Sequence, residues 1–235
     1  PEVNPQAILK HKGIIANPNC STIIMVMALK PIYDLAKIKR VIVSTYQAVS
    51  GAGKEGIDEL DAQVREHSEG REMTANILPS SSAEKHYPIA FNLIPQIDVF
   101  CDNLYTKEEM KMVNETKKIM EDYEMRITAT TIRVPVYRSH SESVNIELEK
   151  EVDLGAMREA LAKFPGVTVQ DDPSKQEYPM PLYTSEKDDV YVGRLRRDES
   201  CEKSYNMWVV GDQIRKGAAL NTLQIAETMI KNGWI

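Results

Sequence analysis

Two hydrophobic periods alternate along this 235-residue chain, and the switches between them mark its elements. A short apolar run at residues 13–17 (GIIAN) predicts a buried strand. The run 23–29 (IIMVMAL) opens a helix expected to end near Lys37. Residues 39–47 (KRVIVSTYQ) are rich in β-branched side chains and predict a strand. A helix is expected over residues 54–66, and Pro- and Ser-containing loops over much of 75–100. Thr106 is placed to N-cap a helix running to about Asp122, with Glu108 and Glu109 in its first turn. Segments 125–136 and 142–150 have the period of two that marks half-buried strands, and 153–164 reads as helical. Further strands are expected over 189–198 and 207–212, then a closing helix over 215–232 with Gly233 as its C-cap.

Long strands in the second half, mixed with helices, predict an α+β fold with a large mixed or antiparallel sheet. A sheet with one solvated face often pairs with its own copy, so a homodimer is expected, with a tetramer as a further option. The net charge of −6 argues against a nucleic-acid partner. No apolar run approaches the roughly 20 residues that span a bilayer. Three scattered cysteines, Cys20, Cys101 and Cys201, fit a reducing cytoplasm better than a disulfide framework, and no Cys/His spacing suggests a metal site. The chain opens Pro1-Glu2-Val3-Asn4 and reads as a piece of something longer.

Two residues carry candidate chemistry. Cys20 follows a Pro-Asn turn at the start of an apolar helix. The free N–H groups and partial positive charge of a helix N-terminus stabilise a thiolate, and the same N–H groups suit an oxyanion. The bland alternative is a small buried residue at a turn. A nucleophile also needs an acid/base partner. Of the four histidines, His140 has the most suitable setting, on a connection between two strands that also carries Arg133. Arg133 could fork onto a carboxylate. The alternative for this pair is a surface histidine beside a routine ion-pairing arginine.

The order of motifs sharpens this picture. NPNCST (17–22), STYQAVSGAG (44–53), EEMK (108–111) and RVPVYRSHSESV (133–144) resemble, in sequence and spacing, the active-site motifs of aspartate-semialdehyde dehydrogenases. HYPIAFNLIPQIDVF (86–100) and KGAALNTLQIAE (216–227) are similar to two further segments of that family. The resemblance implies reversible NADP-dependent reductive dephosphorylation of 4-phospho-L-aspartate to L-aspartate 4-semialdehyde, with phosphate as co-product, on the route to lysine, methionine, threonine and diaminopimelate. It implies that Cys20 carries the acyl group as a thioester and that His140 moves the proton. Asn19 and Gln47 would orient the reacting group. Arg133 would grip the substrate's α-carboxylate, Glu108 its α-ammonium and Lys111 the phosphate. Glu108 and Lys111, three apart, would share a helix face, a spacing equally usual for a solvated pair.

Residues 51–56 (GAGKEG) match G-x-G-x-x-G literally. The resemblance instead places Ser50, Gly51 and Gly53 beside the nicotinamide end of the cofactor site, with Asn221 near the carboxamide. By the same resemblance, residues 1–19 are the remnant of an N-terminal NADP-binding domain. Residues 20–212 form the catalytic and dimerisation domain, and 213–235 a helix packing towards the nucleotide-binding side. Weak NADP binding, little unaided turnover and an exposed apolar patch are then expected of this chain. Two competing readings are a related N-acetyl-glutamyl-phosphate reductase and a non-catalytic dimerisation module.

Overall fold

A computed structural model describes all residues 1–235. Helix α1 (Cys20–Leu35) is apolar on nearly every side and is buried from Ser21 to Leu29, so it can only be a core helix. It lies against one face of a six-stranded sheet ordered β2-β1-β3-β6-β5-β4. The strands are β1 (Ile38–Gln47), β2 (Arg126–Arg133), β3 (His140–Leu148), β4 (Val167–Val169), β5 (Val190–Arg197) and β6 (Ser204–Gly211). β1–β2 and β4–β5 are parallel, and the three central pairings are antiparallel. The mixed sheet expected from the sequence is therefore present.

Alternation assigns the two faces. Val41, Val43, Val144, Ile146, Met207 and Val209 point into one core with α1, α3 (Lys107–Ile119) and α4 (Leu154–Lys163). Residues on the opposite face, such as Ser44, Tyr46, Ser143 and Trp208, stay partly or fully exposed, and the Tyr46 and Trp208 ring centroids lie 5.5 Å apart, tilted by 47°. Helix α2 (Lys54–Ser68) builds a smaller core with Leu78, Ile89 and Ile94. Its Gln63 amide oxygen accepts from Ile89 N (2.8 Å) and Ala90 N (3.0 Å), which ties the long loop down without regular structure.

Several boundaries differ from expectation. Residues 13–17 form no strand: no strand of this chain pairs with them, and Ile14 is 86% exposed. β3 begins at His140, two residues early, so this histidine starts a strand instead of lying in the connecting loop. β6 begins three residues before Met207. The closing helix is not uniform. A wide π-helical turn, Arg215–Ala219, precedes α6 (Leu220–Lys231). The short β4, the short helix α5 (Pro181–Thr184) and the 3-10 turn Pro5–Lys10 have too few residues to show a period. No helix is long and apolar enough to cross a membrane.

Candidate active site

The site forms where the C-terminal ends of parallel strands β1 and β2, the first residue of β3 and the N-terminus of α1 converge. Antiparallel pairing aligns Tyr46 with Ser141, and parallel pairing aligns Gln47 with Arg133. The register therefore brings Gln47, Arg133 and His140 to one edge. All three are buried, at 1%, 3% and 0% exposure.

Asn19 caps α1 by accepting from Thr22 N at 3.0 Å. Its own N–H donates to Glu115 (2.7 Å), and its amide Nδ2 donates to Glu108 (2.8 Å). Helix α3, started by a Thr106–Glu109 capping box, is thus tied to the head of α1. Cys20 is left at the first helical position, half-buried, with Sγ 3.5 Å from His140 Nε2. The turn at Gly217 presses on it: a Cβ there would lie 2.9 Å from Cys20 Cβ. All three cysteines are free.

The expected lowering of the Cys20 thiol does not hold in this structure. The N–H of Ser21 and the charge of Arg133 do pull its pKa down, but burial first, and then the charge of Glu108, outweigh them and push it up to about 12. Burial and Arg133 hold His140 well below the usual histidine range, so the ring is neutral at neutral pH. Its Nδ1 accepts from Ala48 N at 3.0 Å.

Arg133 donates from Nη1 to Ala48 O at 2.6 Å, while its buried Nε has no partner. Glu108 accepts from Asn19, from Gln47 Nε2 (3.2 Å) and from Lys111 Nζ (3.4 Å). The Glu108–Lys111 pair does share a helix face, and Lys111 also reaches Asp98 at 3.3 Å, half in solvent. Gly51 closes over the site on the exposed side. A Cβ there would lie 2.6 Å from Arg133 Nη1 and 3.3 Å from His140 Cε1. Gly53 takes φ +82 at the head of α2, and Gly56 lets α2 approach Val49 O. Each glycine of the literal G-x-G-x-x-G run therefore has a local reason.

Ser50 is bonded to Gln213, whose amide oxygen accepts from Ser139 N at 2.9 Å. Asn221 is buried. It is 3% exposed, accepts from Lys216 (3.2 Å) and donates to Asn17 (2.8 Å), one step from the Gly217 turn. Sequence reasoning missed Glu115, Gln213, Gly217 and the main chain of Ala48. Of these, only the glycine in KGAALNT left a trace in the sequence.

Comparison with known proteins matches this architecture. The family described as semialdehyde dehydrogenase, dimerisation domain, matches residues 29–216. An aspartate-semialdehyde dehydrogenase of Aquifex aeolicus is 54% identical over 100% of this chain and 68% of its own length. The enzyme of Bacillus subtilis is 51% identical over 98% of the chain and 67% of its length. Among solved structures, aspartate-semialdehyde dehydrogenase II of Vibrio cholerae, crystallised with ASA, superposes with a TM-score of 0.91 at 46% identity, covering 98% of this chain and 67% of that one. A Candida albicans enzyme solved with NADP shares the fold at a TM-score of 0.72 and 23% identity, over 100% of this chain and 66% of that one. The chain spans about two-thirds of each relative's length. On these likenesses the chain belongs to the aspartate-semialdehyde dehydrogenase family of oxidoreductases.

Proposed function

We propose that this site carries the acyl-transfer chemistry of the reversible conversion of 4-phospho-L-aspartate to L-aspartate 4-semialdehyde, with Cys20 as acyl carrier. The observation that carries the reading is the 3.5 Å approach of Cys20 Sγ to the buried His140 Nε2 at the head of a buried helix. Attack of the Cys20 sulfur on the acyl carbon forms the C–S bond, and loss of phosphate leaves a thioester, which divides one difficult step into two. The first-turn N–H groups of α1 suit the developing oxyanion. His140 is the group available to exchange protons there, and it can take the thiol's proton once the ring releases the Ala48 N–H and carries its own hydrogen on Nδ1.

The substrate roles follow the free groups. The unpartnered Nε of Arg133 gives it a spare donor for an α-carboxylate. Glu108 suits an α-ammonium, with Gln47 and Asn19 holding its oxygen in place. Lys111, half-exposed at the mouth, suits the phosphate. The rim at Gly51, next to Arg133 and His140, and the open space at Gly53 fit the flat nicotinamide end of NADP. Asn221 fits less well, because both ends of its amide are already engaged. When bound, NADP supplies or accepts the hydride. A homodimer through the open sheet face around Tyr46, Ser143 and Trp208 accords with the dimerisation domain that the chain matches.

Incubation of the chain with 4-phospho-L-aspartate, without nucleotide, tests the reading by intact mass and peptide map. The expected result is one aspartyl unit on Cys20, absent in Cys20→Ala. An unmodified Cys20 overturns it as acyl carrier.

A further inference from the structure

We infer that the main chain of Ala48 is a positioning group. Its N–H fixes His140 as the tautomer with hydrogen on Nε2, so the ring offers a donor, not a lone pair, to Cys20 Sγ and to a carbonyl oxygen bound there. The inference deepens the function proposed above and rests on His140 being the partner of the thiol.

A backbone N–H only donates. Nδ1, 3.0 Å from Ala48 N, must therefore present its lone pair. A neutral imidazole has one ring hydrogen, which is left on Nε2. That nitrogen is the one facing Sγ at 3.5 Å.

Ala48 cannot swing aside. It is fully buried, and the chain on both sides of it is clamped. Gln47 O accepts from Val134 N (3.0 Å), Val49 N donates to Val136 O (2.8 Å), and Ser50 N donates to Tyr137 O (3.2 Å). Its carbonyl meanwhile accepts from Arg133 Nη1 at 2.6 Å. The main chain of one residue thus orients both the histidine and the arginine.

The consequence concerns proton traffic. An imidazolium carries hydrogen on both nitrogens. A second proton would arrive at Nδ1, opposite the Ala48 N–H, and set two donors against each other. Proton uptake by His140 therefore requires that contact to open. Until it does, the ring acts as a neutral hydrogen-bond donor, the electrophilic role open to an imidazole whose pKa is lowered. The charged and titratable groups around it are Arg133 from β2 and Cys20 from α1, with Glu108 of α3 acting on both. Glu142 follows two residues along β3, and Asp212, just after β6, is paired with Arg138 at 2.8 Å.

The test is a ¹⁵N-histidine spectrum of the ligand-free chain across the neutral pH range. The ring is assigned by its loss in His140→Gln, with His11, His67 and His86 as internal references. The expected spectrum shows His140 as the Nε2–H tautomer throughout. Ala48→Pro keeps the carbonyl for Arg133 and removes the N–H, at a residue whose φ of −62 already suits proline. It is expected to mix the tautomers and move the titration midpoint upward. A wild-type ring with hydrogen on Nδ1, or a cationic ring at neutral pH, overturns the inference, as does an unchanged tautomer in a folded Ala48→Pro. If that variant does not fold, the wild-type spectrum decides. Because the spectrum needs no substrate, it fails or holds independently of acyl adduct formation at Cys20.

Discussion

Glu108→Gln should make Cys20 more acidic. In the resting site the thiol is displaced from 9.0 to about 12, so at any pH below that range the thiolate is roughly a thousandfold scarcer than in an ordinary cysteine, about 4 kcal/mol. Burial is the larger cause, Glu108 the second, and the Ser21 N–H and Arg133 oppose them. Glutamine keeps an oxygen to accept from Asn19 and Gln47 but removes the negative charge. The thiol should fall from about 12 yet stay above 9.0, because burial is untouched. Each unit of fall raises the thiolate fraction about tenfold at fixed pH. The assay is the pH dependence of iodoacetamide alkylation at Cys20, located by peptide map, with Cys101 and Cys201 as controls in the same molecule. The midpoint of the profile is the readout, since absolute rates also depend on access. A midpoint that stays put or rises in Glu108→Gln would refute the reasoning.

Other outcomes follow from single contacts. Gly51→Ala should abolish acylation of Cys20 while leaving the melting temperature nearly unchanged, because its Cβ would meet Arg133 Nη1 at 2.6 Å on the exposed rim; normal acylation by mass spectrometry would contradict this. Asn19→Ala loses the cap on Thr22 N and should cost about 0.5–2 kcal/mol of stability in urea unfolding, together with acylation through the lost tie to Glu108. Glu142 is fully buried with neither oxygen partnered, and burial raises it well above the usual carboxylate range. Its folded form therefore holds a proton that the unfolded chain releases, so its stabilisation is complete below the ordinary carboxylate range and drains away at about 1.4 kcal/mol per pH unit towards the raised value. Glu142→Gln should flatten that slope, and parallel stability profiles for the two proteins would show the carboxyl to be hydrated or paired after all.

What the sequence could reveal depended on whether a signal was local. Cys20, Gln47 and the Arg133–His140 pair lie in three separate motifs, which their order groups by resemblance; strand register brings Gln47, Arg133 and His140 to one edge, and the head of α1 sets Cys20 against His140. The alternating strands and the capped α3 were legible for the same reason. Residues 13–17 had the composition of a strand, but a strand also needs a partner, which composition does not encode. A helix N-terminus, which lowers a thiol, can be read from sequence, whereas the burial of Cys20 and the approach of Glu108 from another helix, which raise it, cannot. Ala48 left no mark because its main chain does the work, and any residue but proline has the same N–H.

The resting site is held in opposition, and this bears on how a ligand would act. Burial keeps the thiol protonated; Glu108 adds to this, Arg133 pulls the other way, and of these two charges Glu108 has the larger influence. A ligand carrying both an ammonium and a carboxylate, seated as the proposed function has it, would neutralise the two together. Cancelling both leaves a net lowering of the thiol, since the stronger raising charge is lost along with the weaker lowering one. The same ligand would supply the partner that the buried Arg133 Nε lacks. A ligand with an acylated nitrogen, having no cation for Glu108, would cancel only Arg133 and drive the thiol higher. Discrimination for a free amino group would then arise at the nucleophile itself, through the charge that reaches it, in addition to any contact at the ammonium.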